Sequence, residues 1–352
     1  MLSLSRSRDF QWMVGIDFGV CSIKAVVLRG KPGHYQLEAL ARVPTPRGSI
    51  VDHQLQDVAQ VVMALRQLRR QLNCRCDNAA TAVTGSSVIT KVILVPRNLS
   101  AEELENQVLI EAEQHIPFPL DEISLDYESL GVSANHPERE NILLSAARTE
   151  TISTRLSALQ QAGWHTRVVD IGVHALARAV NACLAADNTH ARMLALVDIG
   201  AECLTFAVIE EGEVIHSRLQ NFGGAHFTRE LCKLTEMPEE SVEQAKIAST
   251  LPEALRHDTE QQHITTVLQH IRRNIQLFCS SSGHKPPSAL FLSGGGSCLP
   301  ELAKVLEQEL SMPVLRPDFD RLFEGRAASC PDAASYMTAL GLALRSFTSC
   351  PI

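Results

Sequence analysis

No stretch of this chain approaches the ~18 consecutive apolar residues that a membrane-spanning helix requires. The first residues carry Arg6 and Arg8 ahead of Asp9 and have no apolar core of the kind a secretory signal shows. Positive charge is not in excess. Lys and Arg number 32 against 40 Asp and Glu, a net charge of −8, which argues against a broad nucleic-acid-binding face. Cys74 and Cys76 have C-x-C spacing, but no second pair lies nearby to complete a metal site. Ten cysteines without a signal segment are expected to be free thiols in a reducing, cytoplasmic compartment. Low-complexity tracts are missing as well. What is left is 352 residues, 45% apolar and 20% charged. Such a chain is globular and can hold two or three units with cores of their own.

The stretch from Met13 to Leu28 organises the rest. Val14 and Ile16 lead into Asp17, Gly19 permits a tight turn, and Ile23, Ala25 and Val27 then alternate with Lys24, Val26 and Leu28. This is a β-hairpin with an acid near its tip. Backbone N–H groups at such a tip can meet an anion, and Lys24 can add charge. Asp17 cannot face a bare phosphate, so a divalent cation, Mg²⁺ through water, has to sit between them. Taken alone, an Asp-x-Gly hairpin is more often a plain turn. Half a chain later the form recurs, from Leu194 through Asp198, Ile199 and Gly200 to Thr205 and Ile209. A third element, Ala289 to Ser293, runs into Gly294, Gly295 and Gly296. Three glycines let a backbone pass close to a flat ligand.

Between these landmarks the pattern alternates in kind. Tyr35–Val43 reads as a strand, and Asp52–Leu72 as one amphipathic stretch with Leu55, Val58, Val62, Leu65, Leu68 and Leu72 on one side. Asn78–Thr84 is a short strand closed by Gly85, Ser86 and Ser87. Lys91–Pro96 opens a different unit. Ser100 and Glu103 form a capping box for a helix to His115, which Pro117 and Pro119 stop. Strands are expected at Ile123–Leu130 and Asn141–Ala147 and a helix at Thr151–Gln161. If Thr166–Val169 pairs back, the unit is β-α-β-β-α-β. A helix at Ile171–Ala185 leads to the second hairpin, followed by a strand at Glu213–Gln220. Helices are then expected at Thr228–Leu234, Glu239–Ala248, His263–Phe278, Leu299–Leu310 and Tyr336–Arg345, with a short strand at Val314.

Two Asp-x-Gly hairpins and a late strand–Gly-Gly-Gly turn resemble the actin/Hsp70/sugar-kinase superfamily. The run Ile116-Pro117-Phe118-Pro119-Leu120-Asp121-Glu122-Ile123, with Val95-Pro96 and Leu125-Asp126-Tyr127, looks like PilM, the actin-like family of type IV pilus assembly that includes competence homologues. The likeness covers nearly the whole chain, from Val14 to about Phe347. It implies an α/β actin-like ATPase fold of two lobes, with a small α+β (SHS2-like) insertion in the first. The expected division is 1–86 and 166–191 for the first lobe, 87–165 for the insertion, 192–235 and 285–325 for the second lobe, 236–284 for a helical subdomain, and 326–352 for a closing helix.

The resemblance further implies ATP between the lobes. Asp17, Gly19, Val20, Cys21, Ser22 and Lys24 match the first phosphate hairpin, with Mg²⁺ reached through water from Asp17. Asp198, Gly200 and Thr205 match the second, and Gly294, Gly295 and Gly296 the nucleoside turn. Glu243 and Lys246 resemble an E-x-x-K clamp on the ribose, since a three-residue spacing puts them on one helical face. The same spacing suits a surface ion pair. The sequence departs from the pattern at Val20 and Cys21, where small hydroxyl residues are usual, and at Glu202 and Cys203, where Gly and Thr are. Either Glu202 points away from the phosphates or it weakens their binding. No base for activating a water stands out.

In the family the partner is PilN, an inner-membrane protein whose cytoplasmic N-terminal segment docks on the first lobe and insertion. The residues expected to line that groove are Val92, Leu94, Pro96 and Phe118. The alternative for Phe118 is a plain buried role beside a helix stop. Two other functions stay open. An FtsA-like division filament shares the fold but ends in an amphipathic membrane helix, for which the tail from Ser346 is too short and uncharged. A sugar kinase or ATPase needs a catalytic carboxylate near a substrate pocket. Sedimentation with ATP and lipid separates the first alternative from an adaptor, and an ATPase assay separates the second.

Overall fold

A computed structural model describes residues 12–85, 88–133, 136–187, 189, 191–248, 250–323, 330 and 332–348. The readings placed on Arg6 and Arg8, on Ser86 and Ser87, and on the tail beyond Thr348 lie outside the described residues.

The first lobe begins with β1 (Val14–Phe18), β2 (Ser22–Lys31) and β3 (His34–Pro44), continues through a two-residue ribbon of β4 (Ile50–Val51) and β5 (Gln54–Leu55), and reaches α1 (Val58–Leu72) and β6 (Asn78–Val83). The inserted unit follows: β7 (Val88–Pro96), α2 (Ala101–His115), β8 (Ile123–Val132) and β9 (Arg139–Arg148). The chain returns through α3 (Thr149–Gln161), β10 (His165–Ile171) and α4 (Gly172–Ala186). The second lobe has β11 (Met193–Ile199), β12 (Leu204–Glu210), β13 (Glu213–Gln220), α5 (Gly224–Thr235), α6 (Glu239–Ile247) and α7 (Glu253–Ser282). It closes with β14 (Ala289–Ser293), α8 (Leu302–Leu310), β15 (Val314–Leu315), α9 (Phe319–Leu322) and α10 (Met337–Ala343).

Two five-stranded sheets carry the same strand plan. One runs β10-β6-β1-β2-β3 and the other β15-β14-β11-β12-β13. In each, the Asp-bearing strand pairs antiparallel with the next strand and parallel with a later one. Helices α4 and α10 lie between the sheets, and one apolar cluster joins Val26 and Leu28 of the first sheet to Leu194, Leu196, Ala207 and Ile209 of the second. Gly341 of α10 meets Ala175 of α4 so closely that a Cβ there would collide with its carbonyl. Helices α1 and α3 cover the outer face of the first sheet, and α7 and α8 that of the second. Burial of apolar surface on both faces is what fixes the strands of such layered folds.

The inserted sheet has three strands in the order β7-β9-β8. Its α2 is held by the capping box read from Ser100 and Glu103: Glu103 N donates to Ser100 Oγ and Ser100 N to Glu103 Oε2 at 2.8 Å. Ile93, Val95, Ile142 and Leu144 bury against α2.

Three expectations need correction. Thr166–Val169 does not pair back onto the insertion; β10 joins β6 in the first sheet. Helix α3 goes with it, packing Ala158, Leu159 and Ala162 into the cluster around α1. The amphipathic stretch from Asp52 is not one helix either. Asp52 and His53 form the turn of the β4–β5 ribbon, and α1 starts six residues after Asp52, capped by Asp57, which accepts from Gln60 N at 3.0 Å. Finally, α5 begins at Gly224 rather than Thr228, one turn earlier than expected.

Candidate functional site

The tip of the first hairpin is braced from outside. Thr45 Oγ1 donates to Gly19 O at 2.6 Å and Thr45 N to Cys21 O at 3.1 Å. Register places Asp17 opposite Lys24, and Lys24 Nζ lies 3.3 Å from Asp17 Oδ2 in a largely buried ion pair. Val20 and Ser22 are half-buried and Cys21 is exposed.

The second hairpin repeats the register, with Asp198 opposite Thr205. Gly200 N closes its tip on Cys203 O at 2.8 Å. The first turn of α5 docks on that tip, Gly224 N donating to Gly200 O and Ala225 N to Ala201 O. On the other side β14 brings Ser293 level with Asp198, and Ser293 Oγ donates to Asp198 Oδ1 at 2.7 Å. Gly294 follows at φ +86°, packed so tightly on Ile199 that a Cβ would strike its carbonyl; only glycine suits both demands. Gly295 is exposed and Gly296 rests on Ile199.

The two hairpins face each other electrostatically. Desolvation pushes the Asp198 carboxyl up to about 6, with Asp17 adding to the rise and Lys24 and the Ser293 hydrogen bond opposing it. Two acids thus share one lysine. That surplus of negative charge suits a divalent cation placed between them and phosphate oxygens. Among the described residues no cluster of three or more metal-ligating side chains gathers. A Mg²⁺ held by one or two carboxylates, water and phosphate needs none.

The E-x-x-K pair sits across the cleft on α6. Lys246 Nζ donates to Glu243 Oε2 and to Thr228 Oγ1, both at 2.6 Å, and Thr228 donates to Glu243 at 2.8 Å. It is an ion pair, and one tied to α5. Burial first, then Glu243, raises the pKa of Cys21, while Lys246 lowers it, so the pair looks onto the first hairpin's tip. Glu202 is half-buried and also acts on Cys21, so its charge stays at the cleft.

Four residues that the sequence did not signal complete the site: His53, Thr84, Arg155 and Ser293. His53 Nε2 lies 3.1 Å from Cys203 Sγ on the second hairpin, and Nδ1 3.4 Å from Thr84 Oγ1. Arg155 on α3 is almost wholly buried; it donates to the carbonyls of His53 and, at 3.1 Å, Thr151. Its guanidinium lies over Phe18, and burial draws its pKa down to about 10 against the opposing pull of Asp17.

The expected partner residues do not share one face. Val92, Leu94 and Pro96 alternate along β7 and are exposed, opposite the Ile93 and Val95 that meet α2. Glu128, on the same open face, lies within electrostatic reach of His174 on α4. Phe118 is on the other side. It is half-buried in the insertion's core with the Arg148 guanidinium 4.3 Å above its ring.

A family model for type IV pilus assembly protein PilM matches residues 15–347. The chain belongs to the PilM family. Among solved structures, a chain of a PilM-PilN type IV pilus biogenesis complex shares 26% identity at a TM-score of 0.82, with 96% of this chain and 99% of that one covered. The ethanolamine utilization protein EutJ from Carboxydothermus hydrogenoformans shares 16% identity at 0.56, with 95% and 89% covered, which supports the fold alone. The actin-like fold and the pilus-assembly family read from the sequence therefore stand. Among the described residues no helix is long and apolar enough to cross a membrane.

Proposed function

We propose that this PilM-family chain is an ATP-binding adaptor working at the cytoplasmic face of the inner membrane, where it holds the N-terminal segment of a PilN-like protein. One observation carries the nucleotide part: Asp17 and Asp198 hold the same register in equivalent hairpins, and the charges of Asp17 and Lys24 reach Asp198. The tip amides with Ser22 and Lys24 would hold phosphates, and Asp17 and Asp198 would bind Mg²⁺ through water. Glu243, Lys246 and the Gly294–Gly296 turn would border the nucleoside. Bound Mg²⁺ supplies positive charge between acids and phosphates. The expected turnover is below about 1 s⁻¹, under the ordinary range for an enzyme.

The partner part is supported by the likeness to a chain solved in a PilM-PilN complex and by the exposed apolar Val92 and Leu94 on the open face of the insertion's sheet. Titration with MgATP and with a synthetic PilN-like N-terminal peptide tests both parts separately. Val92→Asp should weaken peptide binding by about 2 kcal/mol, and the binding should survive added salt because the contact is apolar. Phe118→Ala should lower the melting temperature, at a cost of about 2–3 kcal/mol, and leave peptide affinity unchanged. Failure of the wild type to bind any such peptide would defeat the adaptor role.

A further inference from the structure

His53 occupies a place its backbone resists. Asp52 has φ 47° and His53 φ 62°, both left-handed and neither glycine. A two-residue ribbon turn of this kind favours Asn-Gly, and side chains held in this region tend to mark functional constraint. The turn is locked all the same. Buried Arg155 holds the His53 carbonyl, Thr84 approaches Nδ1, and a Cβ at Gly85 would press on the ring at 3.1 Å. What the locking achieves is to aim Nε2 at Cys203, a contact that spans the two lobes.

The ring lies between the two phosphate hairpins. It touches the second, and the charged groups that act on it are Arg155 from α3, Asp17 from the first hairpin and its own neighbour Asp52. Its partner is a poor one, since a thiol is only a weak donor and acceptor. Nor is this a nucleophilic dyad. Burial, with Glu202 and Asp52 adding to it, pushes the Cys203 thiol up to about 11, and burial and Arg155 lower the imidazole's pKa; a reactive thiolate–imidazolium pair needs the reverse. In the tautomer that carries its proton on Nε2, a phosphate oxygen is a much stronger acceptor than the thiol.

We propose that His53 is the residue through which this cleft reads a terminal phosphate: its imidazole exchanges the Cys203 thiol for the outermost phosphate of a nucleoside triphosphate and so separates triphosphate from diphosphate. Arg155 is the positioning residue that keeps the turn aimed. The proposal rests on the cleft being the nucleotide site.

The test is a set of titrations with MgATP, the non-hydrolysable MgAMPPNP and MgADP, with a melting curve for each variant. His53→Gly is the informative change, because glycine adopts the turn without strain and should leave the fold as stable or more so. Wild type should bind the triphosphates about tenfold or more tighter than ADP, the size of a charge-assisted hydrogen bond. His53→Gly should keep ADP affinity and reduce the preference to about threefold or less. His53→Asn, which tolerates left-handed backbone and retains a donor, should restore part of it. Three results overturn the proposal: a wild type without preference, a His53→Gly protein with the wild-type ratio, or equal loss of both nucleotides. If wild type binds none of the three, the nucleotide reading itself falls and takes this one with it; ADP binding with an unchanged ratio defeats only His53.

Discussion

The two hairpins have the same backbone and different electrostatics. Each places its acid at the same register, opposite the residue seven positions later, with a parallel strand on the far side. In the first hairpin that opposite residue is Lys24, and Asp17 is charge-paired. In the second it is Thr205, and Asp198 accepts a hydrogen bond from the Ser293 hydroxyl and feels Lys24 from the other hairpin. Burial, which the Ser293 hydrogen bond and Lys24 do not offset, pushes that carboxyl up to about 6. Duplication of a strand plan thus does not duplicate the chemistry. One tip is compensated from within, and the other is left wanting a cation from outside, which is the asymmetry a cation–phosphate ligand would exploit.

Breaking the compensated side should have the largest effect. Asp17→Ala leaves Lys24 in place but removes the acid through which a hydrated Mg²⁺ would be held. We expect loss of MgATP binding by about 3 kcal/mol or more with the fold retained, measured by calorimetric titration beside a melting curve. Binding within a few-fold of wild type would remove Asp17 from the site.

The uncompensated side should answer through pH. The folded carboxyl of Asp198 titrates near 6 against 3.8 for the ordinary group. A raised folded value means that stability is fully present below 3.8 and is lost as pH climbs through 6. Asp198→Asn keeps an acceptor for Ser293 and has no charge to bury. It should therefore match wild type near the acid end and exceed it above pH 6, by about 2 kcal/mol at neutrality. Denaturant titrations across this range check it; a constant difference at all pH values would show that Asp198 is not the titrating group.

How much of this was legible depends on how local each signal is. The hairpins could be read because apolar alternation and an Asp-x-Gly turn lie within one short window. The Ser100–Glu103 box was legible for the same reason. Strand partners across the chain were not: nothing in Thr166–Val169 tells whether it will join the inserted sheet or β6, since pairing is set by what the rest of the chain leaves exposed. The Asp52–His53 turn was hidden because neither residue is the glycine that would announce it, so the helical period of Leu55 and Val58 ran on through it. Arg155 looked like any arginine on an amphipathic helix; its role depends on His53, about a hundred residues earlier. Residues expected on one partner face split because alternation fixes the side of Val92 and Leu94, whereas Phe118 lies in a loop whose direction has no period.

The smallest change would make the second hairpin like the first. Thr205 sits opposite Asp198 just as Lys24 sits opposite Asp17, and both positions are half-buried. In Thr205→Lys the new ammonium should pair with Asp198 and draw its carboxyl back toward the ordinary range. Two consequences follow from the same charge. The loss of stability above pH 6 should shrink, by about 1 kcal/mol given that a partly exposed pair is screened. The dependence of nucleotide affinity on Mg²⁺ should weaken as well, because the lysine occupies part of the cation's role. Repeating the pH series and titrating ATP with and without Mg²⁺ reads both effects in one protein. If the pH dependence is unchanged while Asp198→Asn removes it, the lysine has not reached the acid. If both variants leave it unchanged, burial of Asp198 is not what sets the two hairpins apart.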